Sequence, residues 1–253
     1  QAAPTNLLGR LLGGRRRDPA TYPAMLDALA PWSGPDAPAE PHRVVLVLTT
    51  SGSTGRPKRV PLTLGNLVAQ AQTMGRRLAM GEDARVMNLS PMIHVDGVTA
   101  LFIALWTGGT LVRPEPFSIP RLQDTLDALY RYRVTHLVVV PTVLSLFLRL
   151  GQRVREALST DDLRCIVSTG APLPEGLHRE VESLAGAPVV NMYGLTETGN
   201  VLFAGPDDGT RVPGTVGEPV DVEVRVVAGE LQVRGPSVMP GYLVDAGEDC
   251  GLD

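Results

Sequence analysis

Residues 44–58 read Val44-Val45-Leu46-Val47-Leu48-Thr49-Thr50-Ser51-Gly52-Ser53-Thr54-Gly55-Arg56-Pro57-Lys58. The apolar, β-branched start of this stretch predicts a strand. Hydroxyls and glycines follow, and a lysine closes the segment. Glycine lets backbone N–H groups approach an anion closely, and hydroxyls add donors. Lys58 adds a mobile positive charge. Strand, hydroxyl- and glycine-rich loop, then lysine is the arrangement a triphosphate or pyrophosphate needs. The spacing is not that of a Walker P-loop, which has four residues between its glycines and a lysine directly after the second. Here only Ser53-Thr54 separate Gly52 from Gly55. Serine, threonine, glycine and proline also dominate turns, so composition alone leaves a surface loop as the alternative.

Short apolar runs on either side alternate with helical patterns. Strands are expected at 86–89, 110–112, 136–140, 165–167 and 189–191. Helices are expected at 67–80 with Asn66 as N-cap, at 97–106, at 119–132 capped by Ser118, at 142–150 and at 173–184. That alternation predicts an α/β fold with a doubly wound, mostly parallel sheet flanked by helices. After residue 212 the pattern changes. Residues 222–227 alternate, Ala228-Gly229 turns, and 231–234 returns, which reads as a β-hairpin. The expected division is an N-terminal helical segment and linker (1–42), a nucleotide-binding α/β subdomain (43–212) and an incomplete β-rich subdomain (213–253).

At 253 residues and 43% apolar, the chain can bury a substantial core. A net charge of −4 implies no broad nucleic-acid affinity. Two cysteines, Cys165 and Cys250, make no disulfide framework, and Cys165 reads as a buried thiol. No apolar run is long enough to span a membrane, and the N-terminus has no signal-peptide core. A reducing cytoplasm is the expected compartment.

Five segments, in order along 44–242, carry a resemblance to one family. They are the 49–58 loop; Ser90-Pro91-Met92-Ile93-His94-Val95-Asp96-Gly97; Val167-Ser168-Thr169-Gly170-Ala171-Pro172-Leu173; Asn191-Met192-Tyr193-Gly194-Leu195-Thr196-Glu197; and Gly214–Pro219 with Gly229–Tyr242. Together they resemble the adenylate-forming superfamily, which includes acyl- and aryl-CoA ligases, luciferases and peptide-synthetase adenylation domains. The resemblance implies ATP-dependent activation of a small carboxylic acid to an acyl-adenylate, then transfer to a thiol, most naturally coenzyme A. Loading of a carrier protein by a stand-alone adenylation enzyme, or a non-catalytic nucleotide-binding homologue, remain as alternatives.

By the same resemblance, ATP would contact Thr50, Ser51, Gly52, Ser53, Thr54, Gly55 and Lys58 on its phosphates and Thr196 on the α-phosphate. Adenine would lie among Gly170, Ala171, Pro172, Asn191, Met192, Tyr193 and Gly194. Glu197 would hold Mg²⁺. His94, Asp96, Gly97, Ser168 and Gly199 would approach the acyl group, with Lys58, His94, Thr196 and Glu197 as the catalytic set. Peptide-synthetase domains place an aspartate directly after the aromatic position to bind an amino group. Here Val95 stands there and Asp96 follows one residue later, which argues against an α-amino acid. A buried Asp96 needs a donor. That donor is a substrate hydroxyl or amine, or a structural N–H. Arg59 departs from the family's usual glycine. The family's intact enzymes are longer, so the resemblance implies a partial chain lacking the C-terminal lid domain and inactive by itself.

Overall fold

A computed structural model of the chain describes residues 40–50, 57–114, 117–206, 209 and 211–243. All of them belong to one unit spanning Glu40–Asp253. The predicted N-terminal helical patches, Ser51–Arg56 of the phosphate loop, Asp249, Cys250 and Asp253 lie outside the described residues.

The centre is a parallel five-stranded sheet in the order β4-β3-β5-β6-β7. Its strands are β3 (Arg85–Asn88), β4 (Thr110–Val112), β5 (His136–Val139), β6 (Cys165–Ser168) and β7 (Val189–Asn191). Strand side chains alternate between the two faces, and the two cores follow that alternation. Met87, Leu137, Val139, Ile166 and Val189 pack in one core, and Val86, Val138, Cys165, Val167 and Val190 in the other. Both faces are covered, so these strands read as continuous apolar runs. Cys165 is a fully buried thiol, as expected.

The first core is closed by α3 (Leu122–Arg131), α4 (Pro141–Leu148), α5 (Gln152–Leu158) and α6 (Glu175–Ala185), through Leu126, Leu144, Phe147, Leu158 and Val181. The second is closed by α1 (Leu64–Arg77) and α2 (Val95–Thr107), through Ala71, Met74 and Ile103. The chain leaves β3 toward β4 on one side, then crosses back to β5 and continues to β7 on the other. This reversal is the switch point of a doubly wound sheet, where crevices open beyond the carboxyl ends of the strands.

Antiparallel strands sit around this sheet. β1 (Val44–Thr50) pairs with β2 (Lys58–Thr63), placing Thr50 opposite Lys58. β8 (Tyr193–Leu195) pairs with β9 (Gly199–Phe203), which pairs with β10 (Glu218–Pro219). β11 (Glu223–Val227) and β12 (Glu230–Arg234) form the expected hairpin. Its two-residue turn, Ala228 and Gly229, has φ of 51° and 84°, the left-handed backbone that matches hairpin twist.

Several element boundaries differ from the sequence expectation. The helix expected at 67–80 begins at Leu64, and its N-cap is Thr63, not Asn66. Thr63 Oγ1 accepts from Asn66 N at 3.1 Å, and Thr63 N donates to Asn66 Oδ1 at 2.9 Å. This is a reciprocal capping box. The remaining amide of Asn66 donates to Pro236 O and Val238 O. The same helix ends at Arg77 because Ala79 adopts φ 52°. Met80 N donates to Gly75 O and Ala79 N to Arg76 O, a Schellman termination.

α2 is not buried all round, since Leu105 and Trp106 are 71% and 53% exposed. Ser118 makes no side-chain cap: a 3₁₀ turn, Ile119–Arg121, precedes α3. α6 starts at Glu175 rather than Leu173, because a residue before proline is pushed out of the helical region and Pro174 follows Leu173.

Candidate functional site

A cleft of about 500 Å³ opens at the carboxyl end of the central sheet. Its walls come from segments that directly follow parallel strands. His94, Val95 and Asp96 follow β3, Thr169 and Gly170 follow β6, and Gly194 lies beyond β7. The β1–β2 hairpin contributes Thr50 and Lys58. The β8–β9 turn contributes Leu195, Thr196 and Glu197, and Asn200 and Tyr242 complete the lining. The predicted residues brought together are therefore Thr50, Lys58, His94, Asp96, Gly170, Gly194, Thr196 and Glu197.

Other predicted residues lie behind this surface. Ser168 and Met192 are buried in the sheet and its second core. Asn191 is buried, and its amide donates to Thr215 O at 2.8 Å. Gly97 is buried because a Cβ there would lie 2.3 Å from Pro91 O. Gly199, at φ 68°, packs against Gln70, which a Cβ would strike at 2.3 Å. Gly97, Ser168 and Gly199, expected to approach an acyl group, thus lie behind the cleft surface rather than line it. Tyr193 is half-buried in β8, and Ala171 and Pro172 are exposed just past Gly170.

One rim of the cleft is organised by Tyr242. Its hydroxyl donates to Glu197 Oε1 at 2.7 Å, and Lys58 Nζ sits 4.7 Å from its ring centroid. A cation over an aromatic face is attracted by the ring quadrupole. Burial first, then the Glu197 bond and charge, push the Tyr242 hydroxyl up to about 12. The strap carrying Tyr242 is anchored beside it: Met239 N donates to Glu197 O at 2.8 Å, and Leu243 N to Arg59 O at 3.0 Å. The turn itself is held by Thr198, whose Oγ1 accepts from Leu195 N at 3.2 Å.

The inner wall is a buried polar network. Asp96 Oδ1 accepts from Asn200 Nδ2 at 3.0 Å. Asn200 Oδ1 accepts from Thr169 Oγ1 at 3.2 Å. The Asn200 backbone is clamped by Gln70, whose Oε1 accepts from Asn200 N at 2.9 Å and whose Nε2 donates to Asn200 O at 3.3 Å. Asn88 Nδ2 donates to Asp96 O at 2.9 Å. Burial pushes the Asp96 carboxyl above its usual range, opposed by the Asn200 bond and by the nearby His94. The sequence reading missed Thr169, Asn200, Gln70 and Tyr242 as site residues. For Gln70 a signal was present: it is a polar residue inside the apolar stripe Leu67, Ala71, Met74.

A magnesium ion fits this donor set. Magnesium takes one or two carboxylates and completes its shell with phosphate oxygens and water. Among the described residues no group of three or more His, Cys, Asp or Glu could enclose a metal. Glu197 offers a single carboxylate in the cleft lining.

The AMP-binding enzyme family matches residues 13–243. Sulfoacetate–CoA ligase of Cupriavidus necator is 36% identical over 87% of this chain and 44% of its own length. 2-Succinylbenzoate–CoA ligase of Bacillus pumilus is 32% identical over 80% of this chain and 42% of its own length. The solved o-succinylbenzoate CoA synthetase of Bacillus subtilis aligns with a TM-score of 0.71 and 29% identity in its complex with the acyl-adenylate intermediate, covering 83% of this chain and 44% of that one. Its complex with ATP and magnesium aligns with a TM-score of 0.70 and 30% identity, covering 81% and 44%. The chain thus spans less than half the length of these relatives. With a family match over most of its residues and the cleft in the place the fold dictates, this chain belongs to the AMP-binding enzyme family.

Proposed function

We propose that this chain carries the nucleotide- and acid-binding part of an ATP-dependent acid–CoA ligase. The carrying observation is the single cleft into which Thr50, Lys58, His94, Asp96, Thr196 and Glu197 converge. The solved relative's complexes with ATP and magnesium and with an acyl-adenylate support the nucleotide half of this reading. The CoA-ligase activities of the relatives support coenzyme A, rather than a carrier protein, as acceptor.

In the proposed reaction a substrate carboxylate oxygen bonds to the α-phosphorus of ATP. The bond from that phosphorus to the bridging oxygen breaks, and pyrophosphate leaves. The thiolate of coenzyme A then attacks the acyl carbon and AMP leaves. Two anions must meet in the first step, so fixed positive charge and donors carry the catalysis. Lys58 and Thr50, with Ser51–Gly55, hold the β- and γ-phosphates. Thr196 donates to the α-phosphate. Gly170, Ala171 and Pro172, with Tyr193 and Gly194, enclose adenine. Glu197 holds magnesium, which, when bound, neutralises phosphate charge. His94 and Asp96 face the acid.

Adenylate formation is read by acid-dependent exchange of labelled pyrophosphate into ATP, in a protein containing this chain. Coenzyme A and a carrier-protein thiol are then compared as acceptors. Exchange that requires an acid, followed by AMP release on adding coenzyme A, is the expected result. ATP turnover that no carboxylic acid stimulates would refute the reading.

A further inference from the structure

Thr169, Asp96 and Asn200 line two cavities at once. One is the large cleft, and the other is a cavity of about 20 Å³ lined by apolar side chains such as Met74, Val86, Ile103 and Val138, and also by Asn88 and Thr99. These three residues are therefore the partition that ends the cleft on its inner side. The phosphate-facing rim is elsewhere, where Tyr242 links Lys58 to Glu197. An acid whose carboxylate meets the nucleotide at the rim directs its other end toward the partition.

What that end meets is set by Asn200. Thr169, Asn200 and Gln70 are 2%, 7% and 4% exposed. The Thr169 hydroxyl occupies Asn200 Oδ1, so the amide NH₂ is turned to Asp96 Oδ1. Asp96 Oδ2 has no protein partner among the described residues. A carboxylate held by one oxygen presents the other as an acceptor that a bound group must satisfy. Lys58 is the sole Lys or Arg lining the cleft among the described residues. It is engaged with the Tyr242 ring on the Glu197 side, not with Asp96. His94 is the one titratable side chain acting on Asp96. A second anion at the partition would face Asp96 with no Lys or Arg beside it among the residues described as lining the cleft.

Resting on the ligase reading, we infer that the acid bound here carries a hydrogen-bond donor, a hydroxyl or an ammonium, at the end away from its reacting carboxylate, and that Asp96 rejects acids bearing a second anion there. Asp96 is then a specificity-determining residue, and Thr169, Asn200 and Gln70 are the residues that position it.

The test is calorimetric titration of a protein containing this chain with AMP and with two non-hydrolysable acyl-adenylate analogues, acyl-sulfamoyl adenosines. Their tails have equal length, one ending in a hydroxyl and the other in a carboxylate. AMP binding establishes the nucleotide site independently. The hydroxyl-tailed analogue is expected to bind at least about tenfold more tightly than the carboxylate-tailed one. Asp96→Asn should bring the two within about threefold, chiefly by tightening the carboxylate tail. Equal affinity for both tails, or a preference for the carboxylate, with AMP still bound, would overturn the inference and leave the nucleotide reading intact. An equal loss for both tails in Asp96→Asn would assign Asp96 to the wall alone and also overturn it. Failure of AMP and both analogues to bind would overturn the ligase reading and this inference with it.

Discussion

The two sides of the cleft are built differently. The rim is made of long side chains on hairpins: Lys58 heads β2, Glu197 sits in a turn, and Tyr242 reaches across from the C-terminal strap. These groups are half-buried and joined by one hydrogen bond and one ring contact. The inner wall is made of short side chains close to the central sheet and α1, nearly all buried and each held by its neighbours. The rim can exchange its contacts for phosphates and a metal at small cost. The wall cannot rearrange without leaving buried polar atoms unpaired. The proposed chemistry and the proposed selectivity therefore fall in different mechanical settings.

The largest expected effect is on the rim and falls on nucleotide chemistry rather than on stability. Glu197→Ala and Thr196→Ala should each lower acid-dependent pyrophosphate exchange by about 10²–10³. Glu197→Ala should change unfolding free energy by less than about 1 kcal/mol, since it removes one hydrogen bond. Near wild-type exchange in either variant would remove the rim from the mechanism.

The wall should respond the opposite way. Asn200→Ala leaves Thr169 without its acceptor and Asp96 without its donor, and should cost about 2–4 kcal/mol in denaturant unfolding. Tyr242→Phe, its counterpart on the rim, should cost about 0.5–1.5 kcal/mol. Equal costs for the two would erase the distinction between the sides.

Much of this architecture could be read from residue patterns. The strands β5, β6 and β7 are apolar runs because both their faces are covered. Thr50, Lys58 and Thr196-Glu197 stood out by residue type, and the fold brings all four to one cleft. What stayed hidden depended on pairing. β2 contains Pro61, which has no N–H to donate and lowers a strand reading. Missing β2 also displaced the start of α1 from Leu64 to residue 67. Asn200 sits in Gly199–Phe203, where one polar residue among apolar ones says nothing of its partner. Its meaning comes from Gln70 and Asp96, 130 and 104 residues away in sequence. Tyr242 lay within a quoted segment, but only the folded strap shows that it meets Glu197.

Titration should separate the buried groups by sign. His136 is 1% exposed. Its Nε2–H donates to Leu78 O at 2.9 Å, and its Nδ1 accepts from Thr135 Oγ1 at 2.8 Å. Burial first lowers its pKa from 6.5, so the unfolded chain binds more protons below neutrality. Stability should therefore fall as pH drops through about 6.5. Asp96 acts the other way. Its carboxyl is raised above 3.8 chiefly by burial, so the folded chain binds more protons just above that value. Stability from this group should fall as pH rises through its raised pKa, and Asp96→Asn should remove that component. Denaturant unfolding across pH checks both slopes.

The smallest effect lies far from the cleft. Ala79 holds a left-handed backbone at the end of α1, where glycine is unstrained. Ala79→Gly should stabilise the chain by up to about 1 kcal/mol and leave nucleotide binding unchanged.

The account rests on a nucleotide and its metal meeting at the rim, and magnesium-dependent ATP binding tests this most directly. Calorimetric titration of the chain with ATP, with and without magnesium, is predicted to show binding that magnesium tightens, and a magnesium dependence that Glu197→Ala abolishes. No ATP binding, or a magnesium dependence untouched by Glu197→Ala, would contradict the assignment of this cleft.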